Sequence, residues 1–114
     1  MLSTPDVSAL EPKFGRYFGR AADIIITGHF YDVTITPAEV SANSTLEWAV
    51  TVTGLLTSDI VVVQKPTHQS GLGIVNARVS ANDTLAITYM NTTGSGITPT
   101  SETYVVLAFR RERE

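Results

Sequence analysis

The sequence predicts an all-β protein: a single antiparallel β-sandwich or jelly-roll-like small barrel preceded by an extended N-terminal arm. Three observations lead to this prediction. Apolar and polar residues alternate in short runs from Ile24 onward, turn-forming residues separate these runs at intervals of roughly ten residues, and no segment repeats apolar residues at the helical period. The chain has 114 residues, enough for one compact domain. We therefore expect seven or eight short strands in one domain.

Residues 1–23 differ from the rest of the chain. They contain two prolines and two glycines, they show no alternation, and they include the tandem FGRYFGR at 14–20. Glycine and proline fit poorly into the interior of a strand or a helix. We interpret 1–23 as the arm, 24–110 as the β-sandwich domain and 111–114 as a charged, solvated C-terminal tail.

The first strands are predicted from two alternating runs. In His29–Thr36 one face would carry Tyr31, Val33 and Ile35. Leu46–Thr53 alternates most regularly and places Trp48 on the same face as Leu46, Val50 and Val52. Such a run is typical of a strand with one buried side. We therefore expect Trp48 to be a core residue.

The later strands follow from three further runs and one continuous one. Ile60–Val63 is uninterrupted and β-branched, which is typical of a central strand buried on both faces. Ile74–Val79, Leu85–Met90 and Val105–Phe109 supply the remaining strands. The segments between them are rich in Gly, Pro, Asn and Asp, as turns require.

A short phrase occurs twice in the chain. VSANSTL at Val40–Leu46 and VSANDTL at Val79–Leu85 are offset by 39 residues, and each lies just before a predicted strand. Asn tolerates positive φ and bonds to nearby backbone. We interpret the phrase as a turn used twice, feeding comparable strands in the two sheets. A duplicated hairpin is the alternative, and in both cases the phrase determines shape rather than chemistry.

The body of the chain carries few charges. From Ile24 to Phe109 two cations and six anions occur in 86 residues, net −4, while the whole chain contains 16 Thr and 9 Ser. Short hydroxyl side chains lose little entropy when buried, so this composition favours permanent protein contacts and predicts a homo-oligomer, namely a trimer. The alternative is that Thr serves only strand propensity.

The charge and hydropathy patterns argue against two classes of partner. With a net charge of −3 and a pI near 5.3, general affinity for nucleic acid is not expected. The apolar runs are far too short to cross a membrane, and the N-terminus lacks the basic and apolar regions of a signal peptide.

No motif for catalysis, a cofactor or a metal is found. The chain has no cysteine, and His29 and His68 lack the spacing of metal ligands. No nucleophile-elbow or phosphate-binding pattern occurs. The glycosylation-type triplets at Asn43, Asn82 and Asn91 are interpreted as turn residues. We therefore expect no enzyme, no cofactor and no metal site.

The arm holds the candidate partner-binding residues. Its FGRYFGR segment combines aromatic and arginine side chains, which protein interfaces enrich and on which single-stranded nucleic acid also stacks. Because the chain as a whole is acidic, docking on another protein is favoured, and a disordered tail is the alternative. The residues predicted to bind are Phe14, Arg16, Tyr17, Phe18 and Arg20.

Val33–Phe109, about two thirds of the chain, also resembles a known module. The matching residues are turn and strand residues: Pro37, Glu47, Gly54-Leu55, Asp59, Pro66, Gly71-Leu72, Ala77–Ala81, Thr84–Ile87, Asn91, Ile97–Pro99 and Thr103-Tyr104. In this pattern the chain is similar to small structural modules encoded among the virion genes of tailed phages. The aromatic arm at 14–20 is not part of that pattern.

The resemblance implies a β-sandwich component of a virion. The expected function is that of a non-enzymatic capsid decoration (cement) protein, which would lie on the outer capsid surface and bind and stabilise the lattice of the major capsid protein. The alternatives are a tail, head-fibre or adaptor component, or a carbohydrate-binding β-sandwich on the phage surface. The predicted inward direction of Trp48 argues against the last of these.

Overall fold

The computed structural model describes residues 24–113, with side chains from Gly28 to Arg111. Within these limits there is no helix, and hence none that could span a membrane. The strands are β1 (Ile24–Ile35), β2 (Ser44–Thr51), β3 (Ile60–Gln64), β4 (Leu72–Ala81), β5 (Thr84–Asn91) and β6 (Glu102–Arg113). The described residues thus form six strands rather than the seven or eight expected, and the connection between β5 and β6 adds only an isolated bridge from Ile97 to Val40.

The strands form two three-stranded antiparallel sheets that pack on each other. The strand order is β1-β6-β3 in one sheet and β2-β5-β4 in the other, so β6 and β5 are the central strands. The predicted all-β sandwich is confirmed. Gly28–Arg110 forms one compact unit. The predicted arm lies outside the described residues.

The core lies between the two sheets and is centred on β5 and β6. Their inward side chains are fully enclosed because each central strand has a neighbour on both sides and the opposite sheet above it. The buried core residues are Ile35, Val40, Val52, Leu55, Val79, Leu85, Ile87, Tyr89, Tyr104, Val106 and Ala108.

Trp48 points toward this core, as its alternation predicts. It packs against the core cluster together with Leu46 and Val50, but all three side chains are only half-buried. β2 is an edge strand, so one flank of each inward side chain remains open. The predicted inward face is right, and Trp48 packs on the core as a half-buried residue.

The position predicted for β3 within its sheet is wrong. Its apolar run was expected in a central strand, yet β3 lies at the edge of its sheet and pairs only with β6 among the described strands. Val61 and Val63 face the core side and are half-buried. Ile60 and Val62 point outward and are exposed.

The repeated phrase precedes two strands of the same sheet, not one strand in each sheet. β2 and β5 are antiparallel neighbours, with Trp48 opposite Ile87 at the centre of the pair. These two residues are themselves separated by the repeat offset of 39. The two copies of the phrase therefore lie at opposite ends of one strand pair.

Each copy of the phrase forms a turn that binds the loop after the partner strand. Asn43 has φ 52° and donates its backbone N–H to the carbonyl of Thr93 at 3.0 Å. Asp83 has φ 67° and donates to the carbonyl of Leu55 at 2.8 Å. The Asp83 carboxylate also accepts the N–H of Gly54 at 2.8 Å. The residue with positive φ is thus Asn in one copy and the Asp after Asn in the other.

Candidate interaction surface

The described residues contain no arrangement of side chains typical of a metal site. No group of three His, Asp or Glu residues comes together among them. His68 is exposed in the loop after β3, and the ring of the exposed His29 lies 6.5 Å from that of Tyr31, measured between centroids.

One ion pair lies at the end of the pair formed by β3 and β6. Arg110 donates from Nε and Nη2 to the two carboxylate oxygens of Asp59, both at 2.8 Å, and the Asp59 side chain is fully buried. Arg110 also donates to the carbonyl of Gly54 at 2.8 Å. The hydrogen bonds from Arg110 to the carboxylate hold the pKa of Asp59 below its ordinary value. The N–H of Leu56, which also donates to this carboxylate, lowers the pKa further. The pair joins β6 to the loop between β2 and β3 and is structural.

A second ion pair lies at the opposite end of the same two strands. Lys65 Nζ is 3.0 Å from Glu102 Oε2, and both side chains are largely buried. Thr67 donates its hydroxyl to the same carboxylate at 2.9 Å. Although burial favours the neutral form, the hydrogen bonds from Lys65 and Thr67 keep the pKa of Glu102 below its ordinary value. The two pairs thus fasten the two ends of the β3–β6 strand pair, and each carboxylate accepts hydrogen bonds from its own partners.

The outer face of the β2-β5-β4 sheet is polar. Arg78 on β4 reaches across the central strand to Glu47 on β2, with Nε to Oε2 at 2.9 Å and Nη2 to Oε1 at 3.1 Å. The small side chain of Ala86, which pairs with Arg78 in the register, leaves room for this bridge. Val75 and Met90 are the exposed large apolar residues on this face. Such a face is adapted to water.

The outer face of the β1-β6-β3 sheet is apolar. Its central residues are exposed or half-buried, and three are more than half exposed: Phe30 at 74%, Ile60 at 64% and Val62 at 55%. The register places Ile60 opposite Phe109 and Val62 opposite Leu107, so these side chains are direct neighbours. We call this set the apolar face: Phe30, Ile60, Val62, Val105, Leu107 and Phe109.

A hydroxyl-bearing margin continues the apolar face toward the far end of β1 and the start of β6. Thr34 Oγ1 lies 3.0 Å from Thr103 Oγ1, and Thr36 Oγ1 lies 2.7 Å from Ser101 Oγ. Each hydroxyl group thus has a partner within its own chain. An apolar centre with a polar, hydrogen-bonded margin is the usual anatomy of a protein interface.

Sequence reasoning missed the apolar face, and it placed the binding residues elsewhere. Phe14, Arg16, Tyr17, Phe18 and Arg20 lie outside the described residues, so their role stays a prediction. The apolar face had a signal in the sequence: Ile60–Val63 and Tyr104–Phe109 lack the polar alternation of a strand with one wet side. In the single chain every second side chain of these runs lies on the outer face of the β1-β6-β3 sheet.

Comparison with known proteins adds no relative. No family model matches the chain, no curated protein matches it, and no solved structure matches it. The resemblance to phage virion modules therefore remains a prediction from the residues quoted above.

Proposed function

We propose that this chain is a non-enzymatic structural protein of a tailed-phage virion that binds and stabilises the major capsid lattice as a decoration protein. The observation that supports a binding role is the apolar face, which exposes Phe30 on β1 and Ile60 and Val62 on β3, on the two sides of the central strand β6. Exposed apolar patches on folded proteins mark interaction sites. The virion location, on the outer capsid surface, rests on the sequence resemblance.

A decoration protein needs no chemistry beyond binding. A molecule that binds only the assembled lattice stabilises that lattice by mass action. When several linked copies bind neighbouring capsid subunits, the contacts reinforce one another, because the second contact is intramolecular once the first is made. A small β-sandwich that exposes one apolar face suits this role.

The arm is proposed to make the contact with the capsid. Phe14, Tyr17 and Phe18 would enter a groove of the major capsid protein, since a few aromatic and arginine anchors usually dominate an interface. Arg16 and Arg20 would face carboxylates and fix the orientation. In this proposal the sandwich and the arm have separate tasks: the sandwich presents a surface, and the arm attaches it.

The carbohydrate-binding alternative has less support. Among the described residues Phe30 is the most exposed large apolar side chain, and the outer face around it is mostly apolar, with Asp32 beside it on β1. A sugar needs hydrogen-bonding groups beside an aromatic plane, whereas an apolar surface suits a protein. A tail, head-fibre or adaptor role uses the same kind of contact and differs only in the partner.

The test is addition of the purified full-length chain to particles that lack it. Cryo-electron microscopy should show regular density on the outer capsid surface. A variant with Phe14→Ala, Tyr17→Ala and Phe18→Ala should stay folded but fail to decorate. Val7→Ala with Leu10→Ala, in the same arm but outside FGRYFGR, is the matched control and should decorate normally. Density on the tail alone, or no binding, would refute the decoration role.

A further inference from the structure

We propose that the apolar face of the β1-β6-β3 sheet packs against the corresponding region of a second copy of this chain. The inference rests on the proposed function, because a decoration protein that acts through linked copies needs a self-contact, and it names the surface that makes this contact. Four observations support it.

The first observation is the pattern of β3. Ile60–Val63 is uninterrupted and β-branched, a pattern typical of a strand buried on both faces. In the single chain Val61 and Val63 are half-buried against the core, whereas Ile60 and Val62 remain 64% and 55% exposed. The pattern and the structure agree if a second copy covers the outer side.

The second observation is the scarcity of charge on this face. Of eleven outward positions between Gly28 and Phe109, the only ionisable side chain is that of Asp32, and it lies on β1 at the edge of the sheet, where it can stay in water. Of the other ten positions, all but Gly28 and Gln64 are apolar residues or Thr. The full set of eleven is Gly28, Phe30, Asp32, Thr34, Ile60, Val62, Gln64, Thr103, Val105, Leu107 and Phe109. A charged partner would find no counter-charge here, while a second copy presents an equally apolar surface.

The third observation is the size of the face. Strands are about 4.8 Å apart and rise about 3.4 Å per residue, so the three strands from Val105 to Phe109 span roughly 10 by 14 Å between backbones. A stable interface covers about 800 Å² on each partner. The rectangle between the backbones is much smaller than this area, so the apolar face forms only the centre of such an interface. The hydroxyl pairs Thr34–Thr103 and Thr36–Ser101 supply part of its margin.

The fourth observation is that the two outer faces differ. The face with Glu47 and Arg78 carries an exposed ion pair, so a copy that packs through its apolar face presents a polar surface outward. Use of one face by every copy gives a closed assembly rather than a filament. A contact between the same face of two copies closes at two, so the trimer predicted from composition requires a further, different contact.

Two exposed valines make the test specific. Val62 lies on the apolar face and Val75 on the polar outer face, and both are 55% exposed. Sedimentation velocity and native mass spectrometry at micromolar concentration would compare the full-length wild type with Val62→Lys and Val75→Lys. The wild type and Val75→Lys are expected to be oligomers, and Val62→Lys a monomer with unchanged β-type circular dichroism.

A milder variant keeps the inference testable if Val62→Lys does not fold. Val62→Thr retains the β-branched shape and replaces one methyl group by a hydroxyl. It should raise the dissociation constant roughly tenfold, because buried methyl groups are lost on both sides of each contact. Val75→Thr should leave the constant unchanged.

The inference fails if the wild type is a monomer, or if the two variants at Val62 associate as the wild type does. These measurements use the purified chain without particles. A monomeric wild type that still decorates capsids would overturn the self-contact and leave the proposed function standing. An oligomer that binds no capsid would support the self-contact and refute the proposed function.

Discussion

Tyr89 and Tyr104 join the two sheets through one buried hydrogen bond between their hydroxyl groups, 2.8 Å long. Tyr89 lies on β5 and Tyr104 on β6, the central strand of each sheet, and both residues are fully buried. Burial raises the pKa of both phenols above the ordinary value. The two hydroxyl groups are therefore neutral at neutral pH, and the bond between them satisfies two polar atoms of fully buried residues.

Replacing both tyrosines of this pair should cost less than the two single replacements added together. Tyr89→Phe leaves the Tyr104 hydroxyl buried without its partner, which should lower the free energy of unfolding by about 1–3 kcal/mol. The double variant with Tyr104→Phe leaves no unpaired hydroxyl, so its loss should be smaller than the sum of the two single losses. Urea denaturation of the four proteins measures this. Additive losses would show that the two hydroxyl groups do not depend on each other.

Asn91 should be more important for stability than the other asparagines of the N-x-T triplets. Its buried amide donates to the carbonyls of Val40 and Ser95 at 3.0 and 2.7 Å and accepts the N–H of Thr93 at 2.8 Å. Asn91→Ala should lower the free energy of unfolding by at least about 2 kcal/mol, because several buried groups lose their partner.

Asn82→Ala is the matched control for that variant. The exposed Asn82 side chain accepts a single hydrogen bond of 3.3 Å, from the N–H of Thr57. Thermal melting should show a clear decrease for Asn91→Ala and a change within about 1 kcal/mol for Asn82→Ala. Equal melting temperatures for the two variants would mean that the buried network contributes nothing specific.

The Asp59–Arg110 pair should make stability depend on acid. Because the folded-state pKa of Asp59 lies below its ordinary value of 3.8, its contribution is present above that value and is lost as pH falls through the lowered folded pKa. Asp59→Asn should remove this part of the pH dependence. At neutral pH it should cost about 3 kcal/mol, the lower end for a broken buried pair, since Arg110 keeps some contact with water.

Urea denaturation between pH 7 and pH 2 gives the two stability curves. The difference between wild type and Asp59→Asn should be constant near neutral pH and should shrink below about pH 4. A difference that does not change with pH would show that the carboxylate gains nothing from its arginine partner. The Glu47 and Glu102 carboxylates are present in both proteins, so their titration cancels in the comparison.

Gly71 should not tolerate a side chain, whereas the nearby Gly73 should. Gly71 has φ +82°, a conformation that favours glycine, and a methyl group there would clash with the side chain of Thr93. Gly73 has open space around the same position. Gly71→Ala should lower the free energy of unfolding by about 1–3 kcal/mol, and Gly73→Ala should change it by less than about 1 kcal/mol. Chemical denaturation of both variants would decide, and a larger loss at Gly73 would contradict the backbone argument.

The fold class was predictable because alternation is a local property. Alternation placed Tyr31 and Val33 of β1 and Trp48 of β2 on the face that packs against the core. The neighbours of each strand were not predictable, since the sequence does not tell an edge from a centre. For this reason the sequence did not predict that Trp48 would be half-buried or that β3 would lie at an edge.

The repeated phrase and the apolar face show a second limit of sequence reasoning. A turn motif can be recognised locally, but only the pairing of Trp48 with Ile87 reveals that both copies serve one sheet. The run Ile60–Val63 was correctly recognised as apolar on both sides. What covers its outer side could not be derived, because the alternation of a strand does not distinguish burial within a chain from burial between chains.

The most direct test of the self-contact uses the absence of cysteine from the chain. Single Val62→Cys and Val75→Cys variants place one thiol on each outer face, at positions with the same 55% exposure in the single chain. The rate of alkylation by iodoacetamide is measured for both at micromolar concentration and again after dilution to nanomolar concentration. If the apolar face is covered by a second copy, the thiol at 62 reacts much more slowly than the thiol at 75, and the difference decreases on dilution. Equal rates at both concentrations would contradict the account.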